Sequence, residues 1–171
     1  MIELLILFEL SKKVLTMYGI SKEIRGDFSV FMLPSYGTIK PALNRIEVKG
    51  FVKTQKSMSS GGRPSTYYSI TKDGMNELQR LLLEPPTENP IHFLPMARIK
   101  LSCAEILTKE EQSQMIQSLK LKAESILIDA RNLMNSRELH FYPKMVFDNL
   151  ICEYKNFISL LEGFENACTR Q

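Results

Sequence analysis

The chain of 171 residues has no tryptophan, only two histidines and only three cysteines, and its apolar runs are too short to cross a bilayer. Cys103, Cys152 and Cys168 are odd in number and far apart, whereas a disulfide framework or a zinc site needs cysteines at short spacing. We interpret them as buried or free thiols in a reducing compartment, with pairing across a dimer as the other alternative. His92 and His140 have no partners at the spacing of metal ligands, so we expect no metal and no cofactor.

Targeting and enzyme signatures are missing as well. The apolar segment 4–8 precedes Lys12 and Lys13, whereas a signal peptide places its basic residues before its apolar segment. We therefore expect a cytoplasmic protein with no membrane partner. The chain has no Walker loop, no G-x-S-x-G, no H-E-x-x-H and no dinucleotide-binding glycine pattern, which argues against an enzyme.

What the chain does have is an uneven distribution of positive charge. Residues 1–84 hold 12 basic and 8 acidic side chains, or +4, whereas residues 85–171 hold 10 and 11, or −1. The excess is greatest over residues 35–72, where seven basic residues face a single acid, Glu47. Such a surface suits a polyanion, although charge alone fits a solvated basic face with no partner equally well.

The first half of the chain has the apolar spacing of three successive helices. Helices are predicted over about 2–10 and 16–26, and a third follows Pro34. Ser35 is a suitable N-cap for this third helix. Pro41 lacks an amide donor and clashes inside a helix, so local rules alone start the third helix near Lys40.

A β-hairpin and a fourth helix complete this half. Segments 51–58 and 65–71 are rich in β-branched and aromatic residues, and they flank a turn signal at 59–64. Gly50 is a natural stop for the third helix, and Thr71 is a suitable cap for a helix that runs through Leu82. We therefore predict a winged helix-turn-helix domain over residues 1–84.

The second half is predicted to be helical throughout. Prolines from Pro85 onward mark a boundary, a short helix is expected at about 92–106, and residues 85–107 form a connecting segment. Thr108 and Glu111 form a capping box that opens a long helix, and Pro143 opens the last one. The fold class is thus mainly α with a small β-hairpin, and residues 108–171 form a helical dimerisation and effector domain.

Both long helices carry apolar seams with spacings of three and four residues. A seam of this kind packs equally well inside one helical hairpin or against a second subunit. The width of the apolar surface on the last helix favours a second subunit. The predicted dimerisation residues are Ile116, Leu119, Ile126, Phe147, Leu150, Tyr154, Phe157 and Leu161. Aromatic residues of the last helix could instead line a pocket for a small-molecule effector, although a plain helical core explains them more simply.

The basic residues coincide with the third helix and the hairpin, where a winged helix-turn-helix contacts the major groove and the neighbouring backbone. Asparagine can read adenine, and arginine or lysine can read guanine or neutralise phosphates. The predicted partner is double-stranded DNA. The predicted contact residues are Ser35, Tyr36, Thr38, Lys40, Asn44, Arg45, Lys49, Lys56, Gly62 and Arg63.

The same segments resemble the PadR-like family of transcriptional regulators. Residues 35–50 resemble its recognition-helix signature, Gly62-Arg63-Pro64 and 67–71 its wing, and Tyr18-Gly19-Ile20 the motif of its second helix. The helical remainder resembles the subfamily with the longer C-terminal domain. The resemblance implies a homodimeric repressor that binds a near-palindromic operator and releases it in response to a signal. Lys40 occupies a position where the family usually has tyrosine, so base contacts there are expected to differ.

Two hypotheses follow. The first is a sequence-specific, DNA-binding transcriptional regulator that acts as a dimeric repressor. The second is a winged-helix module for protein interactions that binds DNA only weakly and without specificity.

Overall fold

The computed structural model describes residues 1–58 and 64–169. These form two compact units, one of residues 1–58, 64–84 and 98–106 and one of residues 85–97 and 107–169. The elements of the described residues are α1 (Ile2–Lys12), β1 (Leu15–Thr16), α2 (Met17–Phe28), α3 (Tyr36–Val48), β2 (Val52–Met58), β3 (Pro64–Ile70), α4 (Lys72–Leu83), α5 (Pro90–Ser102), a 3-10 turn (Ala104–Ile106), α6 (Lys109–Asn135) and α7 (Phe141–Thr169). Among the described helices, none is long and apolar enough to span a bilayer. The predicted class, mainly α with a small β element, is confirmed.

The first unit is built around α1, which is buried on all sides over residues 4–10. Leu5, Ile6 and Leu7 are consecutive and fully buried, and a helix buried all round must be covered by other elements. Helices α2, α3 and α4 and strand β3 all pack against it. This central helix fixes the positions of α2 and α3, the two helices of the helix-turn-helix.

The helix α3 begins at Tyr36, so the start near Lys40 that local rules predicted is wrong, and the earlier start implied by the family resemblance is correct. Pro41 lies inside the helix and costs one hydrogen bond, the bond to the carbonyl of Gly37. Both residues are exposed, so water can satisfy that carbonyl. The C-terminal stop at Gly50 is confirmed, since Gly50 has a φ of +76°, which favours glycine.

The hairpin is confirmed, and the sheet has a third strand that the sequence analysis missed. The strand order is β1-β3-β2, both pairs are antiparallel, and Tyr68 pairs with Leu15 on one side and Thr54 on the other. Strand β1 has only two residues, which is too short to leave an alternating pattern. The tip of the predicted turn, 59–63, lies outside the described residues.

Thr71 connects the sheet to α4 in the predicted capping role. Its Oγ1 accepts a hydrogen bond from the amide of Gly74 at 3.0 Å and donates one to the carbonyl of Gly50 at 2.8 Å. The amide of Thr71 also donates to the carbonyl of Phe51 at 3.0 Å. The N-terminus of α4 is therefore held directly against the segment that joins α3 to β2.

In the second unit, α6 and α7 form an antiparallel hairpin. The predicted capping box is present at the start of α6, where the side chains and amides of Thr108 and Glu111 bond reciprocally. Helix α7 begins at Phe141, two residues before the predicted opening at Pro143. Pro143 still falls in the first turn, where its missing amide hydrogen would have had no helical partner.

Candidate nucleic-acid interface

The helix α3 separates a buried face from an exposed, polar face. Ile39, Ala42, Leu43 and Ile46 are buried against the first unit, as their spacing predicted. Thr38, Lys40, Asn44 and Arg45 are all exposed. Val48 is 88% exposed on the same outward side as Asn44, one turn further along. This face therefore offers side chains that can donate to and accept from the edges of bases.

Arg45 is exposed but already has a partner within the first unit. Its Nε donates to Oε1 of Glu3 at 2.7 Å, and its side chain is 55% exposed. One edge of the guanidinium is thus held by α1, and the remaining N–H donors face solvent. The pair positions Arg45, and the carboxylate places a negative charge beside a predicted DNA-contacting residue.

At the start of α3, the hydroxyls of Ser35 and Thr38 lie within hydrogen-bond distance of each other. Ser35 is the N-cap, as expected, but its side chain makes no capping hydrogen bond to the helix amides. Its hydroxyl lies 3.2 Å from the hydroxyl of Thr38, which donates to the carbonyl of Ser35 at 2.8 Å. Tyr36, the first helical residue, is exposed beside them. The positive end of the helix dipole is therefore not covered by a side-chain acceptor from Ser35.

The basic residues of the hairpin extend this exposed surface. Lys49 follows α3, with its Nζ 5.8 Å from the centre of the Phe51 ring, and Lys56 is exposed on β2. Glu47, the single acid of segment 35–72, accepts a hydrogen bond from Thr54 at 3.1 Å. The predicted contacts Gly62 and Arg63 lie outside the described residues.

A pocket on α2 was missed by the sequence analysis. Its wall is formed by Tyr18, Ser21, Lys22 and Arg25 from α2 and by Tyr36 from α3. The four α2 residues follow the spacing i, i+3, i+4, i+7, which places them on one face of the helix. That spacing was visible in the sequence. The proximity of Tyr36 was not, because it depends on how α2 and α3 cross.

The predicted dimerisation residues lie mostly inside the hairpin of one chain. Ile116, Leu119 and Ile126 of α6 are buried, as are Tyr154, Phe157 and Leu161 of α7. Phe93 of α5 stacks on Tyr154 with ring centres 6.2 Å apart and meets Phe157 edge-on at 6.0 Å. Phe147 and Leu150 are half-buried. Within the single chain the six buried residues thus pack as the intramolecular alternative predicts, and Tyr154 and Phe157 belong to its core.

A different apolar row of α7 is exposed. Phe141, Tyr142, Met145 and Val146 are each more than half exposed, and the rings of Phe141 and Tyr142 contact each other at 5.4 Å. Exposed apolar residues that cluster in this way are typical of a contact surface.

The first unit also buries two charged side chains away from α3. Glu9 is fully buried; desolvation raises the pKa of its carboxyl, and an ion pair with Lys12 at 3.2 Å opposes that rise. Lys100 is 3% exposed, and its Nζ donates to the carbonyl of Leu82 at 3.1 Å and to that of Glu84. Burial lowers the pKa of Lys100 to about 8, against the opposing charge of Glu84. Both groups lie in the interior of the first unit and not on the exposed face of α3.

Burial also determines the reactivity of Cys103 in the first unit. Cys103 is fully buried, and desolvation raises the pKa of its thiol to about 12, with the Glu9 charge adding to the effect. A thiol of this kind is inert. Cys152 is exposed on α7.

Comparisons with known proteins identify the family. The model of the transcriptional regulator PadR-like family matches residues 6–80. A PadR family transcription regulator from Clostridium difficile R20291 is 34% identical, with 46% of this chain and 80% of that chain covered and a TM-score of 0.42. A PadR-like transcriptional regulator from Bacillus cereus is 28% identical, with coverage of 46% and 74% and a TM-score of 0.41.

Longer matches occur at lower identity. Bacillus subtilis PadR in complex with operator DNA is 21% identical, with 97% of this chain and 98% of that chain covered and a TM-score of 0.45. A search of curated proteins finds no significant match. The matched segment 6–80 contains the exposed face of α3, the hairpin and the α2 pocket. The chain therefore belongs to the PadR-like family, and it is a DNA-binding transcriptional regulator.

Proposed function

We propose that the protein is a homodimeric repressor that binds a near-palindromic operator and releases it in response to a signal. Residues 1–84 would bind DNA, residues 108–171 would assemble the dimer and receive the signal, and residues 85–107 would connect them. The proposed contacts are Ser35, Tyr36, Thr38, Lys40, Asn44, Arg45, Lys49, Lys56, Gly62 and Arg63.

The observation that carries this proposal is the exposed face of α3. Its inward residues are fully buried, so the helix is held rigidly, while Lys40 and Asn44 are free of core packing. In a helix-turn-helix the second helix enters the major groove. There Asn44 can bond the N6 and N7 edge of adenine, and Lys40 can bond the O6 and N7 edge of guanine.

Alanine substitution tests this face directly. Replacement of Lys40, Asn44 and Arg45 by alanine together should abolish specific operator binding, since each good base contact contributes roughly 1–3 kcal/mol. All three side chains are exposed, so the fold should survive, and circular dichroism would check this. Lys144→Gln on α7, which also removes an exposed charge, is the control. Unchanged operator affinity of the triple variant in a mobility-shift titration would refute the assignment.

For dimerisation, we propose the exposed row Phe141, Tyr142, Met145 and Val146 as the contact surface. Since each of these side chains is more than half exposed in the single chain, a second chain would remove apolar area from water. Val146→Asp should give a folded monomer by light scattering. The same change at the buried Phe157 should unfold the second unit instead.

The proposal includes release of the operator by a signal, and a small-molecule effector is the class to test first. The direction of regulation, repression, follows the family resemblance. A ligand that binds the DNA-free state more tightly than the DNA-bound state can weaken operator affinity by at most the ratio of its affinities for the two states. A reporter driven by the operator would show derepression on addition of such a ligand.

A further inference from the structure

The α2 pocket has the composition of an anion site. Its volume is about 230 Å³, and its wall holds two cations, Lys22 and Arg25, and three hydroxyls, those of Tyr18, Ser21 and Tyr36. No carboxylate lines it. Every wall side chain can therefore donate a hydrogen bond to an anion.

The ion pairs around α2 leave this positive charge uncompensated. The two acids of the helix are directed to α1 and the segment after it, since Asp27 pairs with Lys12 at 2.8 Å and Glu23 pairs with Lys13 at 3.0 Å. Within residues 1–58 and 64–169, neither Lys22 nor Arg25 has a carboxylate partner. The pocket thus carries a charge of about +2 that only a ligand would neutralise.

A nearly buried hydroxyl marks the floor of the pocket. Ser21 is only 2% exposed as a residue, but it lines the pocket, so its hydroxyl can reach a ligand there. The pocket also lies at the first residue of α3, where the positive end of the helix dipole attracts anions.

We propose that this pocket binds one phosphate group of the DNA backbone at the edge of the groove that α3 enters. Arg25 would bind two phosphate oxygens, Lys22 would supply a point charge, and the hydroxyls would complete the hydrogen bonds. The assignment rests on the proposed function, because Tyr36 belongs both to the pocket and to the proposed DNA-contacting face. It adds Tyr18, Ser21, Lys22 and Arg25 to the contacts, and these residues position the duplex without reading its sequence.

The salt dependence of DNA binding measures this contribution. One phosphate contact accounts for about 0.9 of the slope of log Kobs against log[salt], so the Lys22→Gln/Arg25→Gln double variant should reduce the slope by about that amount and each single variant by part of it. Each should weaken binding to operator and to random duplex by the same factor. Lys144→Gln removes one exposed charge from α7 and should leave the slope unchanged.

Neutral methylphosphonate linkages locate the phosphate. Placed one at a time along the operator, they should reveal a position at which neutralisation weakens the wild type several-fold, has a smaller effect on Arg25→Gln and has none on the Lys22→Gln/Arg25→Gln double variant. The proposal is overturned if the wild type binds the operator specifically while both variants keep its slope and affinity. It is equally overturned if inorganic phosphate, followed by amide chemical shifts, binds the pocket but the DNA slopes do not change. If the wild type selects no duplex at all, the proposed function itself fails, and this inference fails with it.

Discussion

Gly74 sits where α4 contacts the backbone before β2, and the structure predicts an unusual effect for Gly74→Ala. Alanine in a helix ordinarily adds roughly 0.5–1 kcal/mol of stability over glycine. A Cβ at this position would overlap the carbonyl oxygen of Phe51 and lie 2.9 Å from the Cγ1 of Ile70. Because that carbonyl already accepts the Thr71 amide, the backbone cannot move away without losing this hydrogen bond.

The expected loss follows from these contacts. Overpacking in a tight site costs about 1–3 kcal/mol, and the strained Thr71 hydrogen bond adds about 1 kcal/mol. After the helical gain is subtracted, Gly74→Ala should lose about 1–3 kcal/mol. For a chain of this length, that lowers the melting temperature by roughly 2–12 °C. Thermal unfolding followed by far-ultraviolet circular dichroism would measure it.

Gly26 offers a matched control in the same unit. It lies in α2, and a Cβ there would meet nothing within 4 Å. Gly26→Ala should therefore stabilise by roughly 0.5–1 kcal/mol and raise the melting temperature by a few degrees. A Gly74→Ala variant that melts at or above the wild type would refute the close packing of α4 on the Phe51 backbone.

Three further predictions follow. The pKa of Lys100 in the folded protein, about 8, lies below its value in the unfolded chain, so unfolding takes up a proton at a pH between the two values. The free energy of unfolding of the wild type should therefore rise with pH. Relative to Lys100→Met, it should increase by about 3 kcal/mol from pH 7.5 to 10.5 in urea titrations. Phe157→Ala should cost about 3–5 kcal/mol in thermal unfolding, whereas Val146→Ala should change stability by about 0.5 kcal/mol or less. Glu3→Gln should increase DNA affinity in low salt, since it frees Arg45 and removes a charge that repels phosphates; weaker binding would show that the ion pair aligns Arg45.

The recognition helix illustrates what periodicity alone can predict. The buried residues of α3 were correct because a core-facing helix requires apolar residues every three or four positions. The start of α3 was not predictable from local propensity. Pro41 leaves the carbonyl of Gly37 without its helical hydrogen bond, but the free-energy cost is small because that carbonyl is exposed to water. In this segment the tertiary packing of Ile39 outweighs a local penalty.

The seams of α6 and α7 show the limit of the same signal. Apolar residues at spacings of three and four pack inside a hairpin or between subunits with the same pattern, so the sequence could not decide between the two. The structure buries Ile116 and Leu161 within one chain and leaves Phe141 and Val146 exposed. Only the contacts of α7 with α6 and with Phe93 of α5 distinguish the buried row from the exposed one.

The α2 pocket could not have been predicted from the spacing of residues in the sequence. Tyr18 and Arg25 share a face of α2, but a helix face with polar residues is ordinarily just solvated. Two contacts that only the folded structure reveals distinguish this face from a solvated one. One is the position of Tyr36, and the other is the pairing of the α2 acids with Lys12 and Lys13.

The central claim, sequence-specific binding of a near-palindromic operator by a dimer, is tested most directly by selection from random duplexes with the full chain. We expect enrichment of an inverted repeat bound by two chains per duplex, with half-sites centred about one helical turn, or a multiple of it, apart. Selection that enriches no motif, with uniformly weak binding to all duplexes, would contradict it. That result would favour the protein-interaction module instead.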